Sequence, residues 1–240
     1  MACADLGKTY VPEILNRVLR SFTLAQLDML APIEPVTFAT GNVIYCQNEP
    51  ITHLIFVDHG LVRAARRIED GHRAVVIWVY GGPQYTIGTH SVLQRAESLF
   101  DYTALTDVRG WRINRRAMHA TMSRDFPFTE RIQEIARITQ GAVADVAACR
   151  GVHTVQQRYC RQLVMLHRAW GSNYIPVSRP LLAEIVALSR GHSFRVAAGL
   201  KGIVTFHAES LVIDDLAALE RRACHCFRGL AEWEDGINNC

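Results

Sequence analysis

No stretch of this sequence is long and apolar enough to span a bilayer. The longest apolar runs, such as Ala74 to Tyr80, end at polar residues or at Gly and Pro, far short of the roughly 20 residues a membrane helix needs. The first ten residues, MACADLGKTY, carry no apolar signal core, so a cytoplasmic protein with no membrane partner is expected. Paired cysteines are also missing. The seven cysteines, at 3, 46, 149, 160, 224, 226 and 240, are odd in number and scattered, with no CxxC motif of zinc-ligand spacing. A disulfide framework is excluded, the thiols are expected to be buried or incidental, and no metal and no cofactor are predicted. Cys224 and Cys226, read as helical, point about 200° apart and off a common face. An iron-sulfur sensor needs a cysteine cluster near the N-terminus, where only Cys3 stands. No carboxylate pair, nucleophile triad or HxH pair with a following acid occurs, so no catalytic residue is assigned and an enzyme is not expected.

What is present is a chain of 240 residues, 49% hydrophobic and 20% charged, long enough to build two modest domains. A formal net charge of +3 is too mild to point to nucleic acid, but its distribution is uneven. From Gly151 to Ala208 seven Arg or Lys residues face a single acid, Glu184, whereas from Glu209 to Cys240 seven acids outnumber three bases. One contiguous segment is selectively basic, as a phosphate-facing module requires.

The first part of the chain is a strand-and-turn pattern. Short runs rich in β-branched and aromatic residues recur at Val43 to Tyr45, Leu54 to Val57, Leu61 to Ala64, Ala74 to Val79 and Trp111 to Ile113. Gly41, Gly60, Asp70-Gly71 and Gly81-Gly82-Pro83 punctuate them, and Asp70-Gly71 is a hairpin signal of the primed type. Such spacing predicts a small barrel or roll, preceded by helices over about Glu13 to Arg20 and over Leu24 to Leu30, the second capped by Thr23.

After Pro127 the period changes. Phe128, Ile132, Ile135, Thr139, Ala142, Val146 and Cys149 follow one another by steps of four and three, an a/d seam over three heptads. A stripe packed on its own domain has nearly the same spacing; the small residues Thr139 and Ala142 favour a symmetric partner helix and hence a homodimer.

From Gly151 the chain reads as helical with a short β element. Val155, Tyr159, Leu163 and Leu166 form one stripe, and Gly171-Ser172-Asn173 ends that helix. Ser178 caps a short helix with Pro180 in its first turn, Ala187-Leu188 make a tight turn, and Ser189 caps the next helix, Arg190 to Leu200. Phe206 and Leu211 to Ile213 flank a polar turn that reads as a wing, and Asp214 caps a last helix carrying Leu216, Leu219 and Ala223. Two short helices across a tight turn, followed by a hairpin, are the parts of a winged helix-turn-helix. Ser193, Val196, Ala197 and Leu200 share one face of the second helix. Arg190, Gly191 and Arg195, with His192 beside them, fall outside it, where arginine can pair with guanine in a major groove.

Here the sequence resembles the CRP/FNR family over nearly its whole length. Gly41-Asn-Val-Ile-Tyr-Cys-Gln-Asn-Glu-Pro50 and His53-Leu-Ile-Phe-Val-Asp-His-Gly-Leu-Val62 are similar to the family's opening roll pattern, and Glu69-Asp70-Gly71 to its hairpin. Glu184-Ile-Val-Ala-Leu-Ser-Arg190 resembles its helix-turn-helix, and Ala197-Ala-Gly199 and Ala223-Cys-His-Cys226 look like one branch of such regulators. The resemblance implies an α+β protein: a double-stranded, cyclic nucleotide-binding-like β-roll over 1–125, a dimerisation helix over 126–150, and a winged helix-turn-helix over 151–240. It implies a homodimer binding palindromic double-stranded DNA, with RNA polymerase a further candidate partner. Arg190 and Arg195 fall on base- and phosphate-contacting positions, with Ser189, Gly191 and His192 beside them and Arg179 and Lys201 as phosphate contacts. Three departures stand out: Ser193 where the family has an apolar residue, a segment after Leu200 about two residues short, and Glu209 in the wing.

In this family a cyclic nucleotide is held by a Glu on the ribose and an Arg, followed by a small residue and Ala, on the phosphate. The corresponding stretch here, Gly81 to Leu105, has Tyr102-Thr103-Ala104 at the Arg motif. With no dedicated guanidinium, cyclic AMP is not expected to bind, and Arg95 on the neighbouring helix reads as solvated. His53, His59, His72 and His90 leave haem open, and the effector is unknown. The alternatives are a cupin-like ligand-binding protein or enzyme, and a regulator-like protein that has lost DNA binding.

Overall fold

The computed structural model describes residues 13–68, 73–94 and 96–229; the side chains of Arg73 and Arg190 lie outside that description. Two short helices come first, α1 (Arg17–Arg20) and α2 (Leu24–Leu30). Helix α1 begins four residues later than expected, because Asn16 caps it and is itself buried, its amide donating to the carbonyls of Val57 and Tyr85 at 2.8 and 3.0 Å. Thr23 caps α2 in a capping box with Gln26.

Eight strands follow: β1 (Ile33–Phe38), β2 (Val43–Tyr45), β3 (His53–His59), β4 (Leu61–Ile68), β5 (Arg73–Gly81), β6 (Thr86–Ile87), β7 (Asp101–Ala104) and β8 (Val108–Asn114), with the small helix α3 (Thr89–Gln94) after β6. They form two antiparallel four-stranded sheets, ordered β1-β8-β3-β6 and β2-β7-β4-β5. Every strand read from the sequence is present, each at its expected place. Three more were not read, β1, β6 and β7. The expected Asp70-Gly71 turn between β4 and β5, with Glu69 and His72, lies outside the described residues, as does Arg95. Gly60 links β3 to β4 with φ +108°, and a Cβ there would meet the Asp107 carbonyl oxygen at 2.6 Å, so only glycine makes this turn.

Between the sheets the roll is filled by its own aromatic side chains. The Tyr80 ring lies 5.6 Å from Tyr85 and 5.9 Å from Tyr102, and Tyr102 lies 5.9 Å from Phe100 and 6.5 Å from Tyr45. Burial pushes the Tyr80 hydroxyl up to about 12 and that of Tyr102 well above its ordinary range.

Helix α4 (Arg115–Met122) leads into the long α5 (Phe126–Val152), capped by Asp125 with Pro127 in its first turn. The expected stripe of α5 points into its own chain. Phe128, Ile132, Ile135 and Ile138 pack with Val18, Leu19, Leu54, Phe56 and Trp111, and Ala142 and Val146 belong to the core shared by the roll and the C-terminal part. Cys149 is 1% exposed, and the Thr139 hydroxyl donates back to the Ile135 carbonyl at 2.9 Å. A fully buried Ile or Phe is worth about 1.5–3 kcal/mol, so these residues hold α5 to its own domain in the single chain. The outward row of α5 is another one: Phe126, Glu130, Gln133, Arg137, Gln140, Ala144, Ala147 and Gly151 are all exposed, again at steps of four and three.

The C-terminal part comprises α6 (Val155–Trp170), β9 (Tyr174–Ile175), α7 (Arg179–Ile185), α8 (Arg190–Ala198), β10 (Val204–Phe206), β11 (Leu211–Ile213) and α9 (Leu216–Arg222). The three strands make a small antiparallel sheet, β10-β11-β9. Helix α9 starts one residue later than read. Asp215 is its cap, accepting from Ala218 N at 2.8 Å, while Asp214 accepts from the Thr205 hydroxyl at 2.8 Å.

Beyond α9 the helical reading of the cysteines fails. Ala223 is extended (φ −76°, ψ 155°), so Cys224 lies in a loop and Cys226 opens a separate helical turn. Cys149, His153, Cys224 and Cys226 then come together, their ligand atoms all within 4.8 Å of one another. Cys149 and Cys224 are buried, as expected, but the three cysteines that lie scattered in the sequence meet in space.

Candidate nucleic-acid interface

The surface of interest is built from α7, the turn after it, α8 and the β10–β11 hairpin. Ser178 accepts from Leu181 N and starts α7, whose Leu182 and Ile185, with Val186 following, are buried. The chain then reverses on Ala187, in the left-handed region at φ 55°, and is locked by Leu188 N donating to the Ala183 carbonyl at 2.8 Å. Ser189 accepts from His192 N at 3.4 Å and opens α8.

Helix α8 ends at Ala198, two residues before the expected end, and Leu200 follows in a turn. Its inward side is the one read from the sequence: Ser193 is 2% exposed, Ala197 and Leu200 are buried, and Val196 is half-buried. Gly191, His192, Phe194, Arg195 and Ala198 are exposed, and so is Lys201 in the turn beyond. Arg190 is the first residue of α8; where its side chain goes lies outside the described residues. At the far end the Arg222 guanidinium donates to the Gly199 carbonyl at 2.6 Å, a cation at a helix C-terminus where the dipole favours it.

Ser193 has a structural partner. Its hydroxyl donates to the Tyr159 hydroxyl at 3.4 Å, both residues being buried. Burial pushes the Tyr159 phenol up, with the Ser193 bond acting against the shift. The polar residue under α8 is thus paired with a second polar group, which is how a buried hydroxyl is tolerated. Ser193→Ala is expected to cost about 1 kcal/mol in urea unfolding by stranding the Tyr159 hydroxyl, and the double variant Ser193→Ala/Tyr159→Phe to recover part of it. Equal and additive losses would show that the pair is unimportant.

Sequence reasoning missed Phe194 and placed Phe206 only as a flank of the wing turn. Phe194, 60% exposed on α8, and Phe206 on β10 both face the Arg179 guanidinium, which sits 5.4 Å from each ring centroid. Arg179, expected as a free phosphate contact, is therefore oriented by cation–π contacts that tie α7 to α8 and to the wing. The signal was available: an aromatic outside the apolar face of an amphipathic helix. In the wing, His207 N donates to the Ser210 carbonyl at 2.8 Å, closing the turn that carries Glu209.

The module also touches the roll. Glu184 on α7 meets Arg63 on β4 at 3.0 Å, an exposed pair worth little by itself, and the Trp170 ring lies 4.7 Å from that of His59. Burial lowers the His59 imidazole below its ordinary range. Among the described residues no group of metal ligands occurs inside the roll, and no helix is long and apolar enough to cross a membrane.

Comparison with known proteins agrees with this architecture. Residues 35–125 match the cyclic nucleotide-binding domain family. A CRP-like cAMP-activated global transcriptional regulator of Mycobacterium tuberculosis is 24% identical over 204 residues, covering 80% of this chain and 88% of the relative. FixK2 from Bradyrhizobium japonicum superposes with a TM-score of 0.69 at 18% identity, over 80% of this chain and 98% of its own. A CRP-family transcriptional regulator from Thermus thermophilus gives 0.65 at 24% identity, over 78% and 96%. Residues 35–125 thus form a cyclic nucleotide-binding domain, and the fold from the roll to the wing is similar to that of these regulators.

Proposed function

We propose that the protein is a DNA-binding transcription regulator acting as a homodimer, with one α8 entering the major groove of each half of a palindromic site. The observation that carries this reading is the outward side of α8: Arg195 stands exposed on a helix whose opposite side is anchored in the core, inside the segment from Gly151 to Ala208 where seven bases face one acid. Arginine in that setting reads guanine through O6 and N7. Arg190 at the start of α8, with Ser189, Gly191 and His192, adds contacts at the same groove. Phe194 is positioned to meet thymine methyl groups, and Lys201 and the ring-held Arg179 meet phosphates and set register.

Two such helices must lie about 34 Å apart to reach successive major grooves. The outward row of α5 supplies the two-fold contact in this reading. Its last three positions, Ala144, Ala147 and Gly151, are small and allow close helix approach. The test is selection from random duplexes at stated salt, since phosphate binding is strongly salt-dependent. An inverted repeat with half-sites one helical turn apart is the expected product; retention of duplexes without any shared sequence would overturn the reading.

The effector is not cyclic AMP in this proposal. Tyr102, at the position of the phosphate-binding arginine in the resemblance, is 6% exposed and packed among Tyr45, Tyr80 and Phe100. A nucleotide entering there would have to displace buried aromatic rings and would find no guanidinium in return. Calorimetry with cyclic AMP is expected to give no binding heat at micromolar to submillimolar ligand; a micromolar isotherm would refute this.

A further inference from the structure

The strongest unassigned feature is the side-chain group beneath the C-terminal domain. Cys149 lies in the last turn of α5, and His153 is the C-cap residue, its backbone N–H donating to the Cys149 carbonyl at 3.1 Å. Cys224 and Cys226 reach them from the segment after α9, where the break at Ala223 turns both sulfurs the same way. Cys149 Sγ and Cys224 Sγ are 3.5 Å apart, and Cys226 Sγ is 3.6 Å from His153 Nδ1. Cys149 and Cys224 are 1% and 2% exposed.

These separations are those of ligands around one tetrahedral ion. Bonds of about 2.3 Å to sulfur and about 2.0–2.1 Å to nitrogen place sulfurs about 3.8 Å apart, and sulfur about 3.6 Å from nitrogen. A disulfide would bring two sulfurs to about 2.05 Å, well inside the observed separation. With all four ligand atoms inside 4.8 Å, the group is too tight for a multi-iron cluster and fits a single thiophilic ion.

A second observation concerns charge. Arg161 on α6 is 5% exposed, and its Nε and Nη1 are buried with no hydrogen-bond partner among the described residues. Burial pushes the thiols of Cys149, Cys224 and Cys226 up, and the nearby Arg161 charge acts against that shift. A buried unpaired guanidinium is costly. Three thiolates and a neutral imidazole around a divalent ion carry a net single negative charge, which would neutralise that cation and offer sulfur acceptors to its free donors.

We propose that Cys149, His153, Cys224 and Cys226 bind one structural zinc ion that fastens the segment after α9 to the junction of α5 and α6. All four ligand positions are filled by protein, the closed arrangement of a structural rather than a catalytic site. The ion would fix the winged module to the end of the long helix. Binding of DNA by α8 is not required for this inference.

The test is metal analysis of the untagged full-length chain, purified under reducing conditions. About one zinc per chain is expected, reduced at least tenfold in Cys226→Ser and in His153→Ala and retained in Cys46→Ser, as for a closed four-ligand site. His153→Cys guards against loss of folding, since a four-thiolate site should still hold zinc. Cobalt exchanged into the wild type should give the visible ligand-field bands of tetrahedral thiolate coordination, altered in His153→Cys. Wild type that carries no more zinc than Cys226→Ser, that binds iron instead, or whose freshly purified form contains a Cys149–Cys224 disulfide would overturn the proposal.

Discussion

Arg195→Ala is expected to weaken binding to the selected duplex by about 1–3 kcal/mol per half-site and to relax preference at one base pair in each half, while leaving thermal stability unchanged. Stability is spared because the residue is exposed and lies off the packed side formed by Ser193, Val196, Ala197 and Leu200. Affinity falls because a bidentate arginine–guanine contact has no substitute on the face of α8, where the neighbours are Gly191, His192, Phe194 and Ala198. Arg190→Ala should act in the same direction. Lys201→Ala should differ in kind: binding weakens about equally on all sequences, and the slope of log affinity against log salt becomes shallower by about one. Titrations of a half-site panel at two salt concentrations separate these outcomes. If Arg195→Ala left the panel's rank order intact, the residue would be only another phosphate contact, and base reading would have to come from elsewhere on the module.

The parts of this site that could be read from the sequence are those decided by neighbouring residues. Ser178 and Ser189 cap their helices because a hydroxyl accepting from a backbone N–H two or three residues on is a local event. The inward face of α8 follows from spacing alone. Strand β1 escaped because Pro35 interrupts it; the proline is accommodated because β1 is an edge of its sheet. The partner of Ser193 was invisible because Tyr159 is 34 residues away. The cysteine group was hidden for a similar reason. Cys149 and His153 are near neighbours at the end of α5, but Cys224 lies 75 residues beyond Cys149, and only the extended Ala223 aims it and Cys226 at that pair. The stripe of α5 was read correctly as apolar, and in the single chain it packs on its own domain. Over this length a seam and a core stripe differ by about 20° of drift per heptad, too little to decide from positions alone.

That ambiguity makes α5 the place where the assembly can be tested most sharply. Ala144→Arg is expected to give a folded monomer by light scattering, with a melting temperature close to wild type, because residue 144 is exposed in the single chain. Its DNA affinity should drop about a hundred- to ten-thousandfold, the factor gained when a second half-site is engaged intramolecularly. Ile135→Arg should behave differently. Ile135 is 2% exposed among Phe128, Ile132 and the apolar face of the roll, so a charge there is buried without a partner at a cost of several kcal/mol, and soluble yield collapses before association can be measured. Were Ile135→Arg instead to remain folded and become monomeric, the apolar stripe would be the seam after all, and α5 would have to leave the roll in the dimer. Were Ala144→Arg to remain dimeric, the contact would lie away from the small-residue end of α5, and the spacing of the two recognition helices would have to be set by another surface.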